Sequence, residues 1–357
     1  MLSPAEPSRV AIDLRMVGTR PHGIARYALA LWEGLPAAPD LRYVAICAPD
    51  RRVALPRPSD RVLIARAPFL SPLEQIELPL LLRHAGADVL HATSHSVPAA
   101  WRGPLVLTLH DVNHLALPGW AHPGRAAFLR TVVGAAARRA GRVLTVSRFA
   151  AEEISRRLEV PAARIAVAPN AVEPRFAPVP ADRVAGLRAR LGLPPDYLLV
   201  LTNGREHKNT RFLGEVSARF PLPLVWAGGP RVEAPNVAWL AAVPEADLPA
   251  LYTGASLFLF PSRYEGFGLP PLEAAACGAP VLAGRGSATD EIWEGTGALL
   301  PPDRPAAWVE AVRALIEDPA RRAALAAACH ARAGRYRSWE PAVRAAALAY
   351  QFVLRPA

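Results

Sequence analysis

Two glutamates, Glu265 and Glu273, flank a loop with two glycines in the run Pro-Ser-Arg-Tyr-Glu-Gly-Phe-Gly-Leu-Pro-Pro-Leu-Glu over residues 261–273. An ionised carboxylate only accepts hydrogen bonds, and its two oxygens can take both hydroxyls of a cis-diol. Gly266 and Gly268 let the backbone come close to a ligand and turn its N–H groups toward it. Pro270 and Pro271 fit the first positions of a helix. A helix N-terminus offers unpaired donors and a partial positive charge, to which phosphates and sugar hydroxyls bind. The arrangement suits a sugar attached to a nucleoside diphosphate, with Glu273 in the first helical turn and Glu265 facing the sugar from the loop. Two glycines and two glutamates alone describe an N-capping loop equally well, with Glu273 only favouring the helix dipole.

Other constellations also stand just after apolar runs. Leu-Thr-Asn-Gly-Arg-Glu-His-Lys-Asn over 201–209 supplies a glycine, Gly204, and two cations, Arg205 and Lys208. These suit a diphosphate, and they also suit a solvated basic loop. Residues 105–111 read as a strand ending in His110 and Asp111. Side chains at the carboxyl ends of parallel strands often carry chemistry. A lone histidine there is more often structural, and Asp111 can cap the following turn. Ile12 to Arg15 and then His22-Gly23-Ile24-Ala25-Arg26-Tyr27 read as strand, loop and helix start, with helix packing the expected role of Tyr27.

The elements that must position these residues alternate along the chain. Apolar strand candidates fall at 9–15, 43–48, 61–65, 89–92, 105–109, 142–146 and 165–168. A second series falls at 197–202, 222–227, 237–240, 257–260, 280–283 and 298–300. Helical patterns intervene, among them 24–35, 72–84, 125–140, 150–158, 245–252, 306–316 and 320–333, with an amphipathic helix at 339–354. Such alternation predicts an α/β protein with parallel sheets covered by helices on both faces. Two series predict two Rossmann-like domains, 1–175 and 181–338. The break falls at the proline-rich stretch 174–180, which continues neither helix nor sheet easily.

The spacing of Glu265 and Glu273 resembles the E-x7-E signature of retaining glycosyltransferases of family 4. The surrounding Glu-Gly-Phe-Gly-Leu-Pro and Glu-Ala-Ala-Ala-Cys-Gly-Ala-Pro-Val are similar to that family almost residue for residue. The likeness runs from about residue 12 to residue 350 and is most specific over 260–281. It implies a GT-B architecture, two Rossmann-like domains whose parallel sheets face an interdomain cleft, with helix 340–355 returning to the N-terminal domain.

The resemblance also implies roles. The second domain binds the donor, with Glu273 on the ribose and Glu265 with the Gly266, Phe267, Gly268 and Leu269 amides on sugar and phosphate. Arg205, Lys208 and Gly204 hold the leaving diphosphate, Lys208 being the better match. His110 stands near the sugar, and Gly23 belongs to the first ligand-facing loop. There Ala25 replaces a glycine usual in the family. Ala171 and Glu173 likewise replace a glycine and an aspartate at a hinge-side turn. The implied reaction retains anomeric configuration and uses no metal, and the chain has no Asp-x-Asp pair. Mannosyltransferases of cell-surface polysaccharide assembly give the best match. GDP-mannose is therefore the expected donor, with UDP-glucose and related donors still open. The acceptor is expected to be a glycan or a lipid-linked glycan, met by loops at 94–98 and 113–119.

Composition narrows the remaining classes. With 357 residues, 52% hydrophobic, the chain can bury two cores. The 41 Lys and Arg residues against 31 acidic ones leave +10. Such a surplus attracts anionic partners, but no zinc-finger, RRM or basic-aromatic pattern points to nucleic acid. Arg125, Arg130, Arg138 and Arg139 offer a membrane-facing surface or, as the preferred reading, an ordinary solvated helix. Cys47, Cys277 and Cys329 lack metal-ligand spacing and read as buried thiols. Residues 1–7 show no signal-peptide core, and no apolar run reaches ~18 residues. The expected location is cytoplasmic, with peripheral contact at the inner membrane face. Rival readings are a GT-B epimerase or phosphorylase and a non-catalytic sugar- or lipid-binding protein. A Rossmann dehydrogenase is disfavoured, because no G-x-G-x-x-G follows the first strand.

Overall fold

The computed structural model describes residues 6–18, 22–50, 57, 60–117 and 123–355. The chain divides into two compact units, residues 1–170 with 339–357, and residues 171–338.

The first unit contains seven parallel strands, β1 (Ser8–Asp13), β2 (Leu41–Cys47), β3 (Arg61–Ile64), β4 (Val89–Ala92), β5 (Leu105–Thr108), β6 (Arg142–Thr145) and β7 (Ile165–Val167). Their order across the sheet is β3-β2-β1-β4-β5-β6-β7. The central strands are buried along their whole length, β4 and β5 at every residue. Helices cover both faces of such a sheet, so its strands read as continuous apolar runs rather than alternating ones. Strand order reverses between β1 and β4, which opens a crevice at the carboxyl ends of these two strands.

The second unit repeats the plan with six parallel strands. These are β8 (Leu198–Leu201), β9 (Leu224–Ala227), β10 (Val237–Leu240), β11 (Leu257–Phe260), β12 (Val281–Gly284) and β13 (Leu299–Leu300). They are ordered β10-β9-β8-β11-β12-β13. Here the reversal lies between β8 and β11.

The helix Glu340–Leu354 belongs to the first unit, although it ends the sequence. Tyr350 anchors it. Its hydroxyl lies 2.7 Å from His91 Nδ1, and His91 Nε2 lies 2.8 Å from the Thr108 hydroxyl. All three are fully buried. The helix also comes close to the sheet side at Gly141, where a Cβ would stand 2.6 Å from Val353 Cγ1.

Burial, helped by nearby His110, lowers the His91 pKa to about 3. The unfolded chain, with an ordinary histidine near 6.5, therefore binds a proton that the folded chain does not. Stability from neutral His91 is complete above pH 6.5 and is lost as pH falls toward about 3, by up to ~1.4 kcal/mol per pH unit. The melting temperature should drop between pH 6.5 and 4.5. His91→Gln should melt lower at pH 7 yet lose less over that range, and a parallel slope in calorimetry would contradict this account.

Two local features differ from the sequence reading. The helix expected over 125–140 runs as Pro123–Phe128, a π turn at Leu129–Val133, and Gly134–Arg139. In it the Thr131 hydroxyl donates to the Ala127 carbonyl at 2.8 Å, a back-bond that bends helices. Arg138, grouped above with a basic surface, donates instead to the Leu158 carbonyl at 3.0 Å and so closes the end of helix Arg148–Leu158. The Arg125 side chain lies outside the described residues, as do Pro118 and Gly119 of the 113–119 loop. The three cysteines are buried and free. Burial, with Glu273 adding to it, pushes the Cys277 thiol up to about 12.

Candidate active site

In the second unit the loops that leave β8 and β11 meet at the sheet's reversal point. Lys208 Nζ donates to Glu265 Oε1 at 2.7 Å, with both side chains mostly buried. The Phe260 ring lies beneath the ammonium, 5.3 Å from its centroid, a geometry that attracts a cation. Three further bonds brace these loops. Asn209 Nδ2 donates to the carbonyls of Pro261 (3.1 Å) and Pro302 (2.8 Å), and Arg263 N donates to the His207 carbonyl (2.9 Å). Asn209 takes a left-handed φ of 51° to do so, which asparagine tolerates better than most residues.

Lys208 is the only lysine in the chain; the other 40 cations are arginines. An ammonium on a flexible stem can turn between partners, whereas a planar guanidinium holds a carboxylate in a fixed fork.

The helix after the Glu265 loop begins at Leu269, because Gly268 takes φ 96° and ψ 65°, a conformation open to glycine alone. Glu273 is thus the fifth helical residue, in the second turn and not the first. Pro270 and Pro271 have no N–H, so at the helix start only the Gly268 and Leu269 amides and those of the loop before them are donors. This corrects the expectation that Glu273 falls in the first turn, beside the helix-end donors. Glu273 is 3% exposed, and Tyr252 Oη donates to its Oε2 at 3.4 Å. Gly278 then closes the helix at φ 90°. Its N–H reaches Ala275 O and that of Ala279 reaches Ala274 O, each at 3.0 Å, a Schellman end.

The remaining donor-side residues are placed unequally. Phe267 is buried edge-on against Tyr336, with ring centroids 5.5 Å apart, so its side chain packs and only its backbone is left for a ligand. Gly266 is buried in the same loop. Gly204 has φ 76°, and a Cβ on it would lie 2.3 Å from Pro230 Cδ, so only glycine lets the loops after β8 and β9 touch. Arg205 is exposed and forms no ion pair with Glu265.

In the first unit His110 follows β5, and its Nε2 lies 3.1 Å from the Thr93 carbonyl, just beyond β4. A carbonyl only accepts, so Nε2 carries the proton and Nδ1 keeps a lone pair. Burial lowers the His110 pKa to about 4, with His95 and His22 pushing the same way, while the Thr93 bond raises it. The ring is neutral near pH 7, unable to serve as a cation but able to donate at one nitrogen and accept at the other. Tyr27 packs edge-on against it with centroids 4.9 Å apart. Gly23 is the first residue of the helix Gly23–Gly34, which His22 caps by accepting the Ala25 N–H at 3.3 Å. Asp111 accepts the Asn113 N–H at 3.0 Å, the turn-capping role.

Sequence reasoning overlooked a buried ionic lattice at the reversal between β1 and β4. Arg15 donates to both Asp13 oxygens (2.9 and 2.7 Å), to Glu74 Oε2 (2.9 Å) and to Ser96 Oγ (2.8 Å). Its members are 59 and 81 positions apart at the widest, so no local pattern exposes them. These carboxylates hold the Arg15 pKa above the ordinary arginine value, although burial alone would lower it.

Two parallel sheets of seven and six strands, with helices between the strands, define a GT-B fold. Residues 21–176 match the model for Glycosyltransferase Family 4, and residues 233–331 that for Glycosyl transferases group 1. A D-inositol 3-phosphate glycosyltransferase of Xylanimonas cellulosilytica is 31% identical over 342 residues, 81% of each chain. The O-antigen chain mannosyltransferase B of Escherichia coli is 30% identical over 56% of this chain and 57% of its own. The chain spans between 22% and 57% of the length of the Escherichia coli mannosyltransferases it matches. The sucrose-phosphate synthase of Thermosynechococcus elongatus shares the fold with a TM-score of 0.77, at 20% identity over 96% of this chain and 98% of that one. The chain belongs to glycosyltransferase family 4.

Proposed function

We propose that the protein transfers a hexose, mannose before others, from a nucleoside diphosphate sugar to a glycan or lipid-linked acceptor, with retention of configuration. The observation that supports this most is the Lys208–Glu265 pair at the reversal point of the second sheet, with Glu273 buried behind the loop. Lys208 turns toward the diphosphate when the donor enters, and Glu265 is released to hydrogen-bond sugar hydroxyls. The bond from C1 of the sugar to the phosphate oxygen breaks, and its electron pair leaves with the nucleoside diphosphate. Lys208 stabilises the charge that grows there. The acceptor hydroxyl oxygen bonds to C1 from the leaving-group face, and its proton passes to the departing phosphate oxygen. No side-chain base is needed in this scheme. The acceptor belongs to the first unit, where His110, neutral and with its Nε2–H donating to the Thr93 carbonyl, offers the Nδ1 lone pair to a hydroxyl.

The test is calorimetry of the protein with GDP, UDP, TDP and NAD, with and without EDTA. Selective binding of one nucleoside diphosphate that survives EDTA is the expected result. NAD alone would move the reading to a dehydrogenase, and no binding at all to a protein without donor chemistry.

Glu273→Gln keeps the shape of the side chain but removes the charge from its bonds to ribose hydroxyls. Charged hydrogen bonds contribute roughly 1.5–3 kcal/mol, so the donor Kd should rise about 10- to 100-fold while the fold survives. An unchanged Kd would remove Glu273 from the ribose site.

A further inference from the structure

Two things are asked of Lys208 by the transfer proposed above. Its ammonium rests on Glu265, and it must also reach a diphosphate. The lysine stem is flexible, so both positions come within reach only if the backbone beneath it is fixed. Lys208 ends a short turn, Glu206–Lys208. The Lys208 N–H reaches the Arg205 carbonyl and the Asn209 N–H the Glu206 carbonyl, each at 2.9 Å. A 3₁₀ turn this short has poorer hydrogen-bond geometry than an α-helix and does not hold its own place. What holds it is the residue at its end.

Asn209 is buried and left-handed, with φ 51° and ψ 32°. Its side chain faces two carbonyls, Pro261 O at 3.1 Å and Pro302 O at 2.8 Å. Carbonyls only accept, so the amide nitrogen is turned to them, and its two hydrogens match the two acceptors. Pro261 directly follows β11, and Pro302 lies just past β13, on the far side of β12 in the sheet. One side chain therefore joins the loops of three strands, β8, β11 and β13. Arg263 reinforces the same junction. Its N–H reaches the His207 carbonyl at 2.9 Å, and its Nε donates to Asp303. Asn209 adjoins Lys208, and Pro261 lies four residues before Glu265, so the Asn209–Pro261 bond governs how far apart the two charged side chains start.

We propose that Asn209 is a positioning residue, whose amide sets Lys208 against Glu265 across the loops of β8 and β11. Its effect on turnover rests on the role proposed for Lys208; its effect on the free protein does not. Lys208 is the only lysine, so its reactivity can be read alone. The test treats the free protein with acetic anhydride and follows Lys208 acetylation by peptide mapping, in the wild type, Asn209→Gly and Asn209→Asp. Asn209→Gly keeps the left-handed backbone and removes the amide. Asn209→Asp keeps the shape but turns acceptor oxygens onto both carbonyls. Both folded variants should acetylate several-fold faster, because only an amine clear of its carboxylate attacks the anhydride. With GDP-mannose or UDP-glucose, whichever the protein turns over, both should lose about 10- to 100-fold in kcat, as a misplaced group does. Donor KM should change little, since the contact that suffers is made in the transition state. Wild-type acetylation rates in both variants would overturn the proposal, whether or not any sugar is transferred. A lowered unfolding temperature with unchanged kcat and acetylation would mark a side chain that only stabilises the unit, and would overturn it as well. Faster acetylation in a protein that transfers no sugar would uphold Asn209 as the brace of Lys208 and overturn the transfer reading instead.

Discussion

Lys208→Ala should fold normally and lose about 10²- to 10³-fold in kcat/KM, the loss found when one preorganised charge is removed from a developing oxyanion. The ammonium is held 2.7 Å from Glu265 over the Phe260 ring, in a site whose walls are largely buried. On the proposed reading it would meet a leaving diphosphate with little solvent rearrangement. Glu265→Ala should lose a comparable factor, because it removes the sugar contact proposed above and also the carboxylate that holds Lys208. If the two side chains act as a unit, the double variant should be little worse than the poorer single one. Lys208→Arg discriminates further. A guanidinium would fork onto Glu265 and stay there, so partial activity with a raised donor KM is expected. As the only lysine, Lys208 can also be followed by amine acylation and mass spectrometry, where a bound nucleoside diphosphate should protect it. Near-normal turnover in purified Lys208→Ala would remove this residue from the chemistry.

The second large effect is on stability. Arg15→Leu should destabilise the first unit by ~3–5 kcal/mol at neutral pH, because it strands Asp13 and Glu74 as buried carboxylates without their cation. The damage should spread beyond the ion pairs. Arg15 and Glu74 both bond Ser96, and the Thr93 hydroxyl donates to the Asp13 carbonyl at 2.5 Å. The segment that presents the Thr93 carbonyl to His110 is therefore braced by this lattice. Urea unfolding should show the loss, and Arg15→Leu combined with Asp13→Asn and Glu74→Gln should recover most of it. A single variant as stable as the wild type would mean that the lattice is dispensable.

Much of this architecture is legible in the sequence, for a physical reason. Buried parallel strands are short apolar runs, and helices carry their own periodicity. Thirteen such runs, broken by prolines near 174–180, therefore give two α/β units without any long-range information. The loop and helix at 261–273 are legible as well, since glycines, prolines and two glutamates with seven residues between them constrain one another locally. Where the helix begins is less so. The two prolines do fall at its first positions, but Gly268 adopts a left-handed conformation that starts the helix at Leu269 and carries Glu273 into the second turn.

The sequence by itself determined the strand-and-helix alternation, the E-x7-E loop and the single lysine, because each is a property of neighbouring residues. Tertiary structure alone decided which of these meet. Strands β8 and β11 pair side by side although more than fifty residues separate them, and so Lys208 and Glu265, 57 positions apart, come within 2.7 Å. In the same way β1 and β4 bring Asp13, Arg15 and Ser96 together with Glu74. The C-terminal helix returns to the first unit with Ala342, Ala346, Ala349 and Tyr350 buried, and its tyrosine meets a histidine 259 positions away. Side chains this distant meet only when strand order fixes their loops, and strand order is a property of the packed sheets rather than of any window of sequence.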